Sequence, residues 1–179
     1  MSELSTPPIH GTLVQVAGLG LLLIGRSGIG KSECALELIM RGHKLVADDV
    51  IQVSRSPQGS LEGRGPELVR HYLELRGIGI VHVPSLFGTD AVIDEATIDL
   101  LIRLEGWRDG PVERLGLDRP TEEVGGVCID VLRLPVAPGR NVASLVEVAA
   151  RNLRLKRAGQ SAAEELDGRV AERLRRTRE

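Results

Sequence analysis

Apolar and polar positions along the chain fall into short runs and two periodicities, and these divide it into strands and helices. The first ten residues, with Pro7 and Pro8, predict an extended arm. Residues 12–17 favour a strand, a Gly18-Leu19-Gly20 turn follows, and then comes the run Leu21-Leu22-Leu23-Ile24. A short apolar run bounded by glycines fits a strand covered on both faces. Residues 32–41 place Ala35, Leu38 and Ile39 at helical spacing, with Gly42 in the stop position. Residues 44–47 predict a short strand ending at Asp48-Asp49, and residues 50–53 predict another. The polar, glycine-rich stretch 54–65 predicts a loop, 66–72 a helical turn, 77–83 a β-rich stretch, and 91–104 a further strand. Glycine and proline punctuate residues 106–126, which are expected to be irregular. Residues 127–134 predict a last strand. In 141–157, Val142, Leu145, Val146, Ala149 and Leu153 follow the 3.6-residue period, and a second helix is expected over 161–175. The pattern is that of an α/β domain with a buried β-sheet core and C-terminal helices.

Composition narrows the class. A length of 179 residues suits one domain with a real core, and 42% apolar with 27% charged residues is ordinary for a globular chain. The aromatics are only Tyr72, Phe87 and Trp107, which argues against base-stacking nucleic-acid modules. The net charge of −2 demands neither nucleic acid nor membrane as partner. Charge is uneven, however: residues 1–150 carry −6 and residues 151–179 carry +4, as expected of a solvated or subunit-facing amphipathic tail. Two cysteines are too few for a disulfide scaffold. No basic-then-apolar segment opens the chain, and no apolar run nears the ~18 residues of a membrane span. A cytoplasmic location is the expectation.

The sharpest local feature is Gly25-Arg26-Ser27-Gly28-Ile29-Gly30-Lys31-Ser32, which satisfies G-x-x-x-x-G-K-[ST] between an apolar strand and a helix. Glycines there let successive backbone N–H groups converge on an oxyanion, and the helix N-terminus adds partial positive charge. Lys31 supplies a point charge to the β/γ-phosphates, and the Ser32 hydroxyl can sit on Mg²⁺. Lysine is scarce in this chain, occurring only at Lys31, Lys44 and Lys156. A nucleoside triphosphate or similar phosphate is the predicted ligand.

Asp48-Asp49 follows the strand after that helix. A carboxylate ending a strand that neighbours the loop's strand lies at the phosphate edge, where it can hold Mg²⁺ or take a proton from an attacking hydroxyl. Glu74, in Leu73-Glu74-Leu75-Arg76-Gly77-Ile78-Gly79-Ile80, is a candidate second metal ligand or substrate contact that spacing alone does not decide. His10, His43 and His71 stand alone in sequence and earn no role from spacing.

Taken together, His10-Gly11, the phosphate loop, Leu45-Val46-Ala47-Asp48-Asp49, the Glu74-to-Ile80 segment, Leu86-Phe87-Gly88 and Arg114-Leu115-Gly116-Leu117 resemble the bacterial HPr kinase/phosphorylase family, specifically its C-terminal catalytic domain. The resemblance covers most of the chain. It implies a P-loop nucleotide-binding fold of the HPr kinase and phosphoenolpyruvate carboxykinase type. Residues 1–150 would form the catalytic core and 151–179 a helical extension of the same domain, with the family's usual N-terminal domain absent. It also implies that ATP, or in some members pyrophosphate, with Mg²⁺ phosphorylates a serine of HPr, the phosphocarrier of the sugar phosphotransferase system. Phosphate would attack phosphoserine in the reverse direction to give pyrophosphate.

By the same resemblance, Asp49 is the general base, Asp48 helps hold Mg²⁺ or the attacked phosphate, and His10 sits beside the pair. Lys31 stabilises the transferred group, Ser32 and Glu74 ligate Mg²⁺, and Arg114 contacts transition-state charge. Pro135, Val136, Ala137, Pro138, Gly139 and Arg140 match a stretch tied to dephosphorylation, and a hexamer is implied. Two positions depart from the family pattern: Arg26 stands where an acidic residue is common, and Ala137 where a basic one is frequent. A P-loop kinase with another protein or metabolite acceptor, and a non-catalytic ATP-sensing module, remain the alternatives.

Overall fold

The computed structural model describes residues 6–107 and 120–176. The chain opens with a hairpin of β1 (Ile9–Val16) and β2 (Leu19–Ile24). Its turn is Ala17-Gly18, both with positive φ (53° and 83°), a two-residue loop whose twist matches the strands it joins. The expected turn at 18–20 is therefore displaced, since Leu19 and Gly20 already pair with β1. Likewise Ile9 and His10 belong to a strand, not to an extended arm. Every residue of β2 is buried, as the apolar run predicted. Leu21 and Leu23 face one core cluster, Leu22 and Ile24 the other.

After α1 (Lys31–Met40), the expected pair of short strands is one strand, β3 (Lys44–Arg55), which runs straight through Asp48-Asp49. The glycine-rich stretch taken for a loop contains β4 (Leu61–Arg64). Gly63 is small for a packing reason: a Cβ there would stand 2.7 Å from Leu13 and 3.0 Å from Ile98. A short 3₁₀ turn at Glu67–Val69 precedes a separate hairpin of β5 (Tyr72–Leu75) and β6 (Gly79–His82), followed by α2 (Val83–Phe87). Then come β7 (Glu95–Gly106), β8 (Thr121–Val124) and β9 (Val127–Val136). The strand β8, hairpinned onto β9, corrects the expectation that all of 106–126 is irregular. Helices α3 (Val142–Arg157) and α4 (Ala162–Arg176) end the described chain, as the periodicity required.

The main sheet has the order β2-β1-β3-β4-β7-β9-β8, and β7 also pairs with β2. The sheet thus curls back on itself: β7 meets β4 through Glu95–Thr97 and β2 from Ile98 to Arg103. The inside of the curl is filled by aliphatic side chains including Leu13, Leu22, Ile51, Leu61 and Leu101, so that face needs no helical cover. The outer face of β2 and β7 is covered by α1 and α3, which contribute Ala35, Leu38, Val146 and Ala150. Helix α3 crosses residue 150 without interruption and packs into this core, whereas α4 buries no residue.

Strands β2, β7 and β9 run parallel, so their carboxyl ends share one edge. Ligands of open α/β sheets bind at that edge. There β2 feeds the glycine loop, β7 leads into Trp107, and β9 leads into residues 137–141.

Candidate active site

The loop Gly25 to Gly30 leaves β2 and enters α1 as the motif required. Gly28 and Gly30 have φ of 77° and 106°, a region that other residues enter only with strain and that lets a loop turn its backbone N–H groups toward an anion. Ile29 is buried and pins the loop's centre to the core, while Arg26, Ser27 and Gly28 are exposed. Lys31 Nζ donates to the carbonyls of Gly25 (2.9 Å) and Arg26 (3.2 Å), which holds the ammonium over the loop's mouth. Behind the loop, burial first and Glu37 second push the Cys34 thiol up to about 12, so it stays protonated.

Asp48 is the hub of the acidic wall. Thr12 pairs with Leu23 on one side and with Asp48 on the other, so Asp48 stands level with the penultimate residue of β2. It reaches the phosphate edge from the middle of β3, not from a strand end, and with β1 between it and the loop's strand. Its carboxylate accepts from the Thr12 hydroxyl (2.6 Å), the Ser32 hydroxyl (3.1 Å to either oxygen) and the Glu74 backbone N–H (3.3 Å).

Asp49 departs from strand geometry, with φ 68°. Strict alternation would send its side chain to the inner face with Ala47 and Ile51. The left-handed residue breaks the alternation, and the carboxylate emerges beside Asp48 with 78% of its side chain exposed. Aspartate is one of the few residues that enter this region at modest strain, and such strain gathers at functional sites. His10, from the paired strand, brings Nδ1 to 3.8 Å from Asp49 Oδ1. Gly11 has to be glycine because a Cβ there would stand 2.6 Å from the Leu23 carbonyl oxygen.

The β5–β6 hairpin closes the far side. Glu74 lines the cleft with Asp48 and Asp49, and Arg76 reaches across to the loop, where Nη2 donates to Ser27 Oγ at 3.4 Å. A Cβ on Gly28 would meet the Arg76 guanidinium at 2.7 Å, so the two are in close contact. Thr12 and Arg76 are site residues that sequence reasoning did not single out. Arg76 had a signal, lying inside the quoted Glu74-to-Ile80 segment, whereas nothing in a single strand position marks Thr12 as a carboxylate's partner.

The cleft bounded by His10, the loop, Asp48, Asp49, Glu74 and Arg76 has a volume of about 250 Å³. Its oxygen donors, the Ser32 hydroxyl beside nearby carboxylates, suit Mg²⁺, which is commonly held by one or two protein oxygens plus phosphates and water. No group of three or more His, Cys, Asp or Glu among the described residues would by itself enclose a metal. Pro135, at the end of β9, is buried, and Val136, Gly139 and Arg140 line a neighbouring groove, with Ala137 and Pro138 in the turn between them. Arg114 lies outside the described residues. A larger hollow, about 790 Å³ beside β3 and β4, holds none of these groups.

The sequence model of the HPr Serine kinase C-terminal domain matches residues 3–170, nearly the whole chain. The chain belongs to that family. Its similarity to the HPr kinase/phosphorylase of Bacillus subtilis is 48% identity over 168 residues, covering 93% of this chain and 54% of the relative. The enzyme of the same name from Thermoanaerobacter pseudethanolicus is 48% identical over 167 residues, covering 93% and 55%. The chain spans about half the length of the curated relatives it matches. Among solved structures, the HPr(Ser) kinase/phosphatase of Coxiella burnetii superposes with a TM-score of 0.80 at 36% identity, over 89% of this chain and 97% of that one. The α/β fold of an HPr kinase C-terminal domain is therefore shared.

Proposed function

We propose that this chain transfers the terminal phosphoryl group of ATP, or of pyrophosphate, to a serine of HPr or an HPr-like phosphocarrier, and reverses that step by phosphorolysis. The observation that carries the reading is Asp49, an exposed carboxylate held out of strand geometry beside a phosphate loop. A nucleotide sensor has no need of a strained base at that place.

In the forward step the serine oxygen attacks the terminal phosphorus and its proton passes to Asp49, while the donor's bridging oxygen leaves with its electron pair. Lys31, poised over the loop, follows the charge on the transferred group. Mg²⁺ would neutralise charge on the β- and γ-oxygens. The Ser32 hydroxyl, its proton directed to Asp48, presents a lone pair for that ion, and Glu74 faces the same space. His10 positions the Asp49 carboxylate. In reverse, a phosphate oxygen attacks the phosphoserine phosphorus, pyrophosphate forms, and protonated Asp49 returns its proton to the serine oxygen. Family resemblance adds Arg114 as a contact for transition-state charge and links Pro135 to Arg140 with the reverse reaction.

Residues 1–150 serve as catalytic core and 151–179 as its helical extension, acting in a homo-oligomer, a hexamer by resemblance. The exposed stripe Leu166, Val170 and Leu174 on α4 supports a subunit-facing role. No helix among the described residues is long and apolar enough to cross a membrane; the cytoplasmic location proposed for the chain rests on the family resemblance.

The test mixes the chain with HPr, ATP and Mg²⁺ and reads the intact mass and modified residue of HPr. One phosphate on a single serine, absent with Lys31→Ala, is expected. No transfer while nucleotide still binds would assign the catalytic centre to another acceptor.

A further inference from the structure

Thr12 is a polar side chain in a place where the fold would be served as well without one. It stands opposite Leu23 in the β1:β2 ladder, and paired residues share a face, so it lies on the side of the sheet that α1 covers. Its exposure is 0%, whereas the other buried polar residues among those described, Ser56 and Ser161, keep 7% and 8%. Valine has nearly the same shape, packs in strands at least as well, and brings no hydroxyl that burial would penalise. The hydroxyl of Thr12 has one use in the structure. Its Oγ1 donates to Asp48 Oδ1 at 2.6 Å, closer than the other bonds to that carboxylate, which run from 3.1 to 3.3 Å.

We infer that Thr12 is a positioning residue for the Mg²⁺ site and acts through Asp48. This inference rests on the proposed use of Mg²⁺ with a phosphate donor. Asp48 is tied to three elements: Thr12 of β1, Ser32 of α1 and the Glu74 N–H of β5. Ser32 and Glu74 are the residues that would hold the ion. The Ser32 hydroxyl has a single proton, and while Asp48 takes it an oxygen lone pair is left for a cation. That service requires a carboxylate whose plane is fixed. Ser32 lies in the first turn of α1 and Glu74 in the separate β5–β6 hairpin, so neither bond fixes Asp48 against the main sheet. Thr12 does so, because β1 is paired on both sides, with β2 and with β3. Threonine is also stiff at χ1, which holds the direction of its oxygen.

The consequence is a division between cation affinity and folding. Removing the hydroxyl frees the Asp48 carboxylate to turn, and the Ser32 proton and the Glu74 backbone lose their fixed partner. Partners that orient metal ligands typically change affinity by ~10–100-fold when removed. Thr12 stands one bond further from the ion, behind Asp48, which puts its effect at the lower end of that range. The fold itself gains an apolar side chain at a fully buried strand position.

Isothermal titration of the full chain with pyrophosphate at a series of Mg²⁺ concentrations, beside thermal melting without metal, tests this with no turnover. Thr12→Val is expected to raise the Mg²⁺ concentration that half-promotes pyrophosphate binding by about tenfold, and to leave metal-free pyrophosphate binding within about twofold of the wild type. Its melting temperature is expected to be no lower than the wild type's. Thr12→Ser keeps the hydroxyl and loses the buried methyl, so it should recover most of the Mg²⁺ affinity while melting earlier. Opposite orders of the two variants in melting and in Mg²⁺ dependence are what a merely structural threonine does not give. Unchanged Mg²⁺ dependence in Thr12→Val, or a serine variant as impaired as the valine one, would overturn the positioning role. So would a loss of Mg²⁺ affinity that follows a lowered melting temperature in both variants. Wild-type pyrophosphate binding that is indifferent to Mg²⁺ would refute the metal reading itself, and the inference with it.

Discussion

The two walls of the candidate active-site cleft are built in opposite ways. The phosphate wall is eight consecutive residues, Gly25 to Ser32, whose shape comes from glycine torsions and one buried anchor, Ile29. The acidic wall draws His10 and Thr12 from β1, Asp48 and Asp49 from β3, and Glu74 and Arg76 from the β5–β6 hairpin. It exists only because the register β1:β3 sets Thr12 opposite Asp48 and Gly11 opposite Asp49. The first wall tolerates change elsewhere in the fold. The second depends on strand pairing and on one residue held at positive φ, so it is where substitutions separate stability from chemistry.

The largest effect should come from Asp49→Asn. Asparagine accepts positive φ, so fold and nucleotide binding should persist, whereas transfer should fall by roughly 10²–10⁴, the usual contribution of a positioned base. Steady-state phosphorylation alongside ATP titration measures this, and undiminished transfer would remove Asp49 from its role. Next in size is Gly11→Ala, whose added methyl meets the Leu23 carbonyl at 2.6 Å. Loss of about 1–3 kcal/mol in urea unfolding is expected, with the acidic wall weakened and the glycine loop's pyrophosphate affinity largely kept.

A smaller change of opposite sign is expected of Asp49→Gly. Glycine relieves the positive φ at the price of a more flexible unfolded chain, so stability should rise by about 0.5–1 kcal/mol while transfer is lost. A drop in stability would show that the His10 contact outweighs the strain.

The smallest effect lies outside the cleft, in the polar clamp that joins α1 to α3. Hydrogen bonds from Arg151 and Arg41 hold the Glu147 carboxyl below its ordinary range, and those from Asn141 and Arg41 do the same for Glu37. A carboxyl whose folded value is depressed stabilises the fold above its ordinary, unfolded value and loses that contribution as pH falls through the folded one. Thermal melting should therefore show a decline in Tm as pH drops below the ordinary glutamate value of 4.5, and Glu147→Gln should flatten part of it. An equally steep decline in that variant would place the acid sensitivity elsewhere. Because Glu37 is half-open to solvent and Glu147 still partly so, water screens these pairs and the expected slope is shallow.

Much of this was legible from residues alone, and the boundary has physical causes. Helices α1 and α3 and strand β2 follow from apolar periodicity, which is local. The glycines of residues 54–65 misled because Gly63 is small for the sake of Leu13 and Ile98, residues far off in sequence. The break expected between two strands at Asp48-Asp49 is instead a left-handed residue inside one strand, kept regular by its pairing with β1. Arg76 was in plain view within a glycine-punctuated segment, yet its partner Ser27 is reached only when the hairpin folds over the loop.

The amino-acid order by itself determined the phosphate loop, because a turn of that kind needs only its own torsions, the strand before it and the helix after it. It also determined that an acidic pair would serve the loop, and family resemblance supplied the likeness to HPr kinases. Tertiary structure decided which carboxylate is the hydrogen-bonded hub and which is left exposed, since alternation along β3 would have sent Asp48 and Asp49 to opposite faces. It decided, too, that the sheet closes on its own aliphatic face. Register, curl and the meeting of distant segments are properties of long-range packing, and no local pattern of residues carries them.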